Sequence, residues 1–169
     1  RDIHRCKLVR ELIGKDNKLM VDSNQVWSVN ETIEYIDRLK QFDIMFYEEP
    51  TSPDDIIGFR KIKDAHPDIK LATGEMIQNK VIFKQFIENK SLDYCQIDSC
   101  RIASINEILP VLLIASKFNT PVIPHAGGIG LCEYVQHLNL INKFIITNND
   151  LSLSEYAESC SEHFDNPAI

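Results

Sequence analysis

Residues 43–75 read DIMFYEEPTSPDDIIGFRKIKDAHPDIKLATGE. The stretch opens with an apolar run ending in acid, passes through a helical pattern introduced by turn residues, and closes with a second apolar run ending in acid. That is one βαβ unit with its period on display. Working outward, comparable runs occur at 18–23 (KLMVDS), 93–98 (DYCQID), 120–125 (TPVIPH) and, more weakly, 143–147 (KFIIT). Helical patterns fill the gaps. Ser28 and Glu31 form a capping-box signature ahead of Ile33, Ile36 and Leu39, and Ser104 with Glu107 repeats it ahead of Ile108, Leu112 and Ala115. Ser52-Pro53-Asp54-Asp55 predicts a helix capped by Ser52 with Pro53 at its first position. Further helices are expected over about 79–88 and from Leu131 onward. No compositional break appears before about Asn148, so residues 1–150 read as one partial (β/α)-barrel domain and 151–169 as a C-terminal tail or the end of that barrel.

The ionisable residues fix the architecture. Asp22, Glu48, Glu75, Asp98 and His125 each close a strand pattern, at intervals of 26, 27, 23 and 27 residues. In a TIM-type barrel all strands direct their C-terminal ends to one face, so residues at one repeat spacing converge on one site. A doubly wound sheet gathers its ligand at a single switch point and gives no shared role to a polar residue on every strand, so the barrel is the better α/β solution. A complete barrel takes about 200 residues or more, and this chain has 169. A partial barrel is expected.

Asp22, Glu48 and Glu75 would repel one another if bare, and a hard cation held by oxygens alone answers that repulsion, which points to Mg²⁺. Each acid taken singly could equally be an N-cap or a surface charge; the common spacing favours the metal site. Asp98 beside His125 would fix the imidazole tautomer and raise its basicity, making an acid/base group. A metal facing that dyad suits proton abstraction next to a carboxylate, with charge developing on an enediolate, followed by loss of a β-hydroxyl. Glu49 and Asn24 lie beside the expected ligands, with structural and substrate-contacting roles equally open. AGGIG at 126–130 lacks both GxGxxG spacing and a Walker lysine, so its glycines read as a tight turn from His125 into the next helix.

Composition narrows the class. The chain has 18 Lys+Arg against 25 Asp+Glu, a net charge of −7, and 44% hydrophobic residues. That balance argues against tracking nucleic-acid phosphates or an anionic membrane, and the hydrophobic content argues against disorder. No apolar run reaches the roughly 20 residues that span a bilayer. Cys6, Cys95, Cys100, Cys132 and Cys160 are odd in number and show no CxxC pair, so they read as packing thiols in a reducing, intracellular setting.

The motifs VDSNQVW, FYEEPTSPDD, ATGE, QNKVIFKQ, QIDSCR and PHAGGIGLCEYVQHL resemble the enolase superfamily, in the L-fuconate dehydratase branch, over about residues 5 to 137. The resemblance implies a Mg²⁺-dependent hydro-lyase that turns the acid sugar L-fuconate into 2-keto-3-deoxy-L-fuconate. It implies Asp22, Glu48 and Glu75 as metal ligands and His125 with Asp98 as the dyad that protonates the departing 3-hydroxyl. It also places Asn24 on the substrate and Glu155 near the last strand, holding the substrate carboxylate. The family's Lys-x-Lys strand and its N-terminal capping domain have no counterpart in these residues, so a C-terminal fragment is expected. Two other readings follow: a truncated, non-catalytic metal- or partner-binding chain, or a different racemase or acid-sugar dehydratase of the superfamily. Homo-oligomers are common in the family, and the setting could be cytoplasmic or mitochondrial.

Overall fold

A computed structural model describes residues 1–147, 153–158 and 161–168. The chain divides into two compact units, residues 1–72 and 73–169, and its strands run in the sequential order β1-β2-β3-β4.

In the first unit, α1 (Asp2–Ile13) leads into β1 (Leu19–Asp22), α2 (Val29–Leu39), β2 (Ile44–Glu48), α3 (Ile56–Ala65) and the start of β3 (Leu71–Thr73). The strands are parallel, with Val21 opposite Tyr47, Asp22 opposite Glu48, and Glu48 opposite Ala72. The capping box at α2 closes in both directions: Ser28 Oγ accepts from the Glu31 amide at 3.3 Å while Glu31 Oε2 accepts from the Ser28 amide at 2.8 Å. The helix then buries Thr32, Ile36 and Leu39. The start of α3 differs from expectation. Asp55, not Ser52, is its cap, accepting from Gly58 N–H at 2.7 Å. The Ser52 carbonyl instead accepts from the Asp55 amide at 3.1 Å, which puts Pro53 second in a four-residue turn, where its fixed φ is equally welcome.

The second unit carries α4 (Lys80–Glu88), β4 (Tyr94–Cys95), α5 (Ile105–Lys117) and α6 (Leu131–Ile141). Phe83, Phe86 and Ile87 of α4 and Ile108, Val111, Leu112 and Ala115 of α5 are buried. Asn79 caps α4. The second capping box forms only by half: Ser104 Oγ accepts from Glu107 N–H at 3.3 Å, but the Glu107 carboxylate is drawn to Lys80, with its Nζ at 2.8 Å and its amide at 3.1 Å. A full charge outcompetes one backbone N–H for the same carboxylate.

Two strand expectations change. Residues 120–125 run beside β4, with Cys95 N–H donating to Pro121 O, Ile123 N–H to Cys95 O and His125 N–H to Ile97 O. Only a single bridge, Cys95 to Val122, results, because Pro121 and Pro124 have no N–H to continue the ladder. KFIIT is not a strand. It lies in a π-helical turn, Asn142–Thr147, that continues α6 and is closed by Thr147 Oγ1 donating to Asn142 O at 3.0 Å. Three consecutive apolar residues, Phe144 to Ile146, have no periodicity that distinguishes a strand from a helix extension.

Candidate active site at the strand ends

In the first unit, Asp22 and Glu48 close β1 and β2 as register partners. Neighbouring parallel strands stand about 4.8 Å apart and partnered residues share a face, so two acidic residues are carried at neighbouring positions on one face. Asn24 grips one of them: its amide donates to Asp22 Oδ1 at 2.8 Å and its Nδ2 to Oδ2 at 2.7 Å. The next residue, Gln25, reaches across to β2, its amide donating to Glu49 O at 2.8 Å and its Nε2 to Glu49 Oε2 at 2.9 Å. No local signal in the sequence links Gln25 to Glu49; the link is visible only once β1 and β2 are paired.

In the second unit, Asp98 and His125 meet as expected, with Nδ1–H donating to Asp98 Oδ2 at 2.6 Å. The other Asp98 oxygen, Oδ1, accepts from the amides of Cys100 and Arg101 at 2.8 and 2.6 Å, so the loop after β4 orients the carboxylate. The bond to Asp98 leaves Nε2 as the working nitrogen. Nε2 accepts from Gly127 N–H at 3.3 Å and also faces Glu75 Oε2 at 3.4 Å. A neutral ring therefore finds a donor and a protonated ring finds an anion. A Cβ on Gly127 would stand 2.5 Å from Nε2, so glycine is required there for close approach rather than for turning. Of the three glycines, only Gly130, the residue preceding α6, has a left-handed φ, at 77°.

Glu155 belongs to the same cluster, since its Oε2 accepts from the Ala126 amide, next to His125, at 2.7 Å. The segment carrying it is held on α6, where Ala157 N–H donates to Cys132 Sγ and Cys132 Sγ–H to Ala157 O. Burial alone would lower the His125 pKa. The hydrogen bond that His125 donates to Asp98 and the charges of Glu75, Glu155 and Asp98 outweigh it, and the imidazole pKa is held above its ordinary value. Asp98 and His125 open onto a cavity of about 540 Å³, which Cys100 and Arg101 also line. Cys100 is exposed, unlike buried Cys6, Cys95 and Cys132; Cys160 lies outside the described residues. Burial pushes the Cys95 thiol pKa strongly upward, which suits a packing role.

The donor set suits a hard divalent cation in its chemistry, since carboxylate oxygens on registered strands are the ligands Mg²⁺ takes. Among the described residues, no group of three or more His, Cys, Asp or Glu side chains is gathered to hold a metal ion. Asp22 and Glu48 belong to the first unit and Glu75 to the second.

A family model described as Enolase C-terminal domain-like matches residues 1–167. The L-galactonate dehydratase of Hypocrea jecorina is 48% identical over 172 residues, covering 99% of this chain and 38% of that protein. The crystal structure of human mitochondrial enolase superfamily member 1 aligns with a TM-score of 0.94 at 47% identity, over 98% of this chain and 38% of that one. The crystal structure of rhamnonate dehydratase from Gibberella zeae complexed with Mg aligns with a TM-score of 0.79 at 32% identity, over 91% of this chain and 36% of that one. More distant relatives are named as acid-sugar dehydratases and a cycloisomerase. The chain spans under two fifths of the length of the curated relatives named in full above.

Proposed function

Given that the chain belongs to the enolase superfamily, we propose that its parent protein is a Mg²⁺-dependent dehydratase of acid sugars, acting on L-fuconate. The observation that carries this reading is the Asp98–His125 pair at 2.6 Å, with Nε2 left as the working nitrogen and the ring's pKa raised. A histidine in that state holds its proton to a higher pH than a free imidazole does and can give it to an oxygen leaving group. In the proposed reaction the C2 proton is taken by a lysine of the family's Lys-x-Lys, outside these residues. The C3–O bond then breaks, the Nε2 proton passes to the departing hydroxyl as water forms, and the enol left across C2 and C3 tautomerises to the 2-keto-3-deoxy acid. Asp98 holds the imidazole in register throughout, and Glu155 and Asn24 are proposed to contact the substrate. Asp22, Glu48 and Glu75 are the proposed Mg²⁺ ligands; the bound ion would stabilise negative charge on the substrate carboxylate as the α-proton departs.

The name of one relative supports the choice of L-fuconate. L-Fuconate is the 6-deoxy counterpart of L-galactonate, the substrate in the name of the Hypocrea relative, so the two share configuration at every reacting carbon. The test is to incubate the full-length protein and Mg²⁺ with L-fuconate, L-galactonate and L-rhamnonate and follow 2-keto-3-deoxy product by proton NMR. Turnover of L-fuconate at the highest kcat/KM is expected. A preference for L-galactonate would move the substrate, and no dehydration of any of the three would overturn the reading.

A further inference from the structure

The ends of β1 and β2 are joined by something more than the sheet. Ser23 to Val26 form a tight turn closed by Val26 N–H donating to Ser23 O at 3.1 Å, and its two central residues, Asn24 and Gln25, have φ of 46° and 64°. Two successive left-handed residues normally call for glycine or asparagine, so Gln25 is in a backbone state its side chain does not favour. Directly opposite, Glu49 is also left-handed, with φ 38°, and only 2% exposed. Left-handed non-glycine residues persist only where surrounding bonds over-determine them. Here the surrounding bonds are visible. Gln25 donates twice to Glu49, and beneath that double link Ser23 N–H donates to Glu48 O at 3.0 Å and Glu49 N–H to Ala72 O at 3.0 Å.

The two strained residues flank the paired acids. Glu49 directly follows Glu48, and Gln25 lies one residue beyond Asn24, which holds both oxygens of Asp22. We propose that the Gln25–Glu49 clamp is a positioning device that fixes the carboxylates of Asp22 and Glu48 at the separation a divalent cation needs. The proposal rests on the reading of those two acids as metal ligands. Left to themselves, adjacent carboxylates lower their repulsion by splaying apart. A side-chain amide anchored on a buried carboxylate one step beyond the ligands resists that movement without contacting the ion. Because Gln25 also uses its backbone amide, removing the side chain deletes one of the two links and leaves the strand pairing in place.

The test measures Mn²⁺ binding to the full-length protein by EPR alongside its metal-free melting temperature, for wild type, Gln25→Ala and Glu49→Gln. Outer partners of metal ligands commonly alter affinity by about 10–100-fold. Gln25→Ala should therefore weaken Mn²⁺ by at least about tenfold with the melting temperature unchanged. Glu49→Gln, which keeps an amide oxygen to accept from Gln25 Nε2, should stay near wild type. Wild-type affinity in Gln25→Ala would overturn the clamp alone, as would a fall in melting temperature matching its loss of affinity. A wild-type protein that binds no Mn²⁺ would overturn the clamp and the metal reading together.

Discussion

The strand ends of the two units solve opposite electrostatic problems. In the second unit Asp98 and His125 are drawn together, and the dyad stands assembled with both Asp98 oxygens engaged. In the first unit Asp22 and Glu48 are register partners of like charge, and three left-handed residues, Asn24, Gln25 and the buried Glu49, stand beside them. An attractive pair forms on its own once the strands are in register. A like-charged pair gains nothing from its own approach and depends on its neighbours for its position.

That contrast can be broken most forcefully at the dyad. His125→Asn in the full-length protein should cut dehydration by about 10²–10⁴-fold, the usual loss for a missing acid/base group, while Mn²⁺ affinity remains near wild type. Loss of both together would mean the two regions are not separable. A smaller effect is expected at the acids. At a Mg²⁺ concentration of 100 Kd the full-length protein should gain about 2.7 kcal/mol of stability by mass action, read as a rise in melting temperature. Asp22→Asn should abolish that gain; a gain that survives would detach Asp22 from the metal. The smallest effect concerns the imidazole. Asp98→Asn keeps an oxygen to accept from Nδ1–H but removes the negative charge that strengthens that bond and opposes burial, so the His125 pKa measured by NMR should fall. Because the folded pKa lies above the unfolded value of about 6.5, His125 contributes stability that is full below that pH and fades as pH rises through the folded pKa. The wild-type advantage over Asp98→Asn should shrink along the same course, and a pH-independent difference would show that charge has no part in it.

Much of this was legible in the sequence. The repeat spacing of Asp22, Glu48, Glu75, Asp98 and His125 indicated strand ends, and the structure puts each at or just beyond the strand or extended segment expected. The dyad was legible because opposite groups on adjacent repeats have one obvious use. What escaped notice depended on partners far along the chain. Glu107 matches a capping box by its local spacing, but Lys80, 27 residues away, claims its carboxylate. Gln25 falls inside the VDSNQVW motif, but its link to Glu49, 24 residues away, has no local signature. KFIIT was misread since apolar content without period says nothing about the backbone, and Pro53 because a turn and a helix start accept the same φ.

The sequential strand order carries a consequence for how the protein is made. β1 pairs with the strand that follows it, and β2 likewise, so each ladder closes over a loop of some 25 residues with one helix inside it. Lengthening a loop within this range adds little to its closure entropy, and each parallel pair needs only the repeat that follows it. A ribosome delivering the chain from its N-terminus can therefore release β1, α2 and β2 as a folding block while later repeats are still being synthesised. The turn beside Asp22 and Glu48 would then be in place before His125 has been translated.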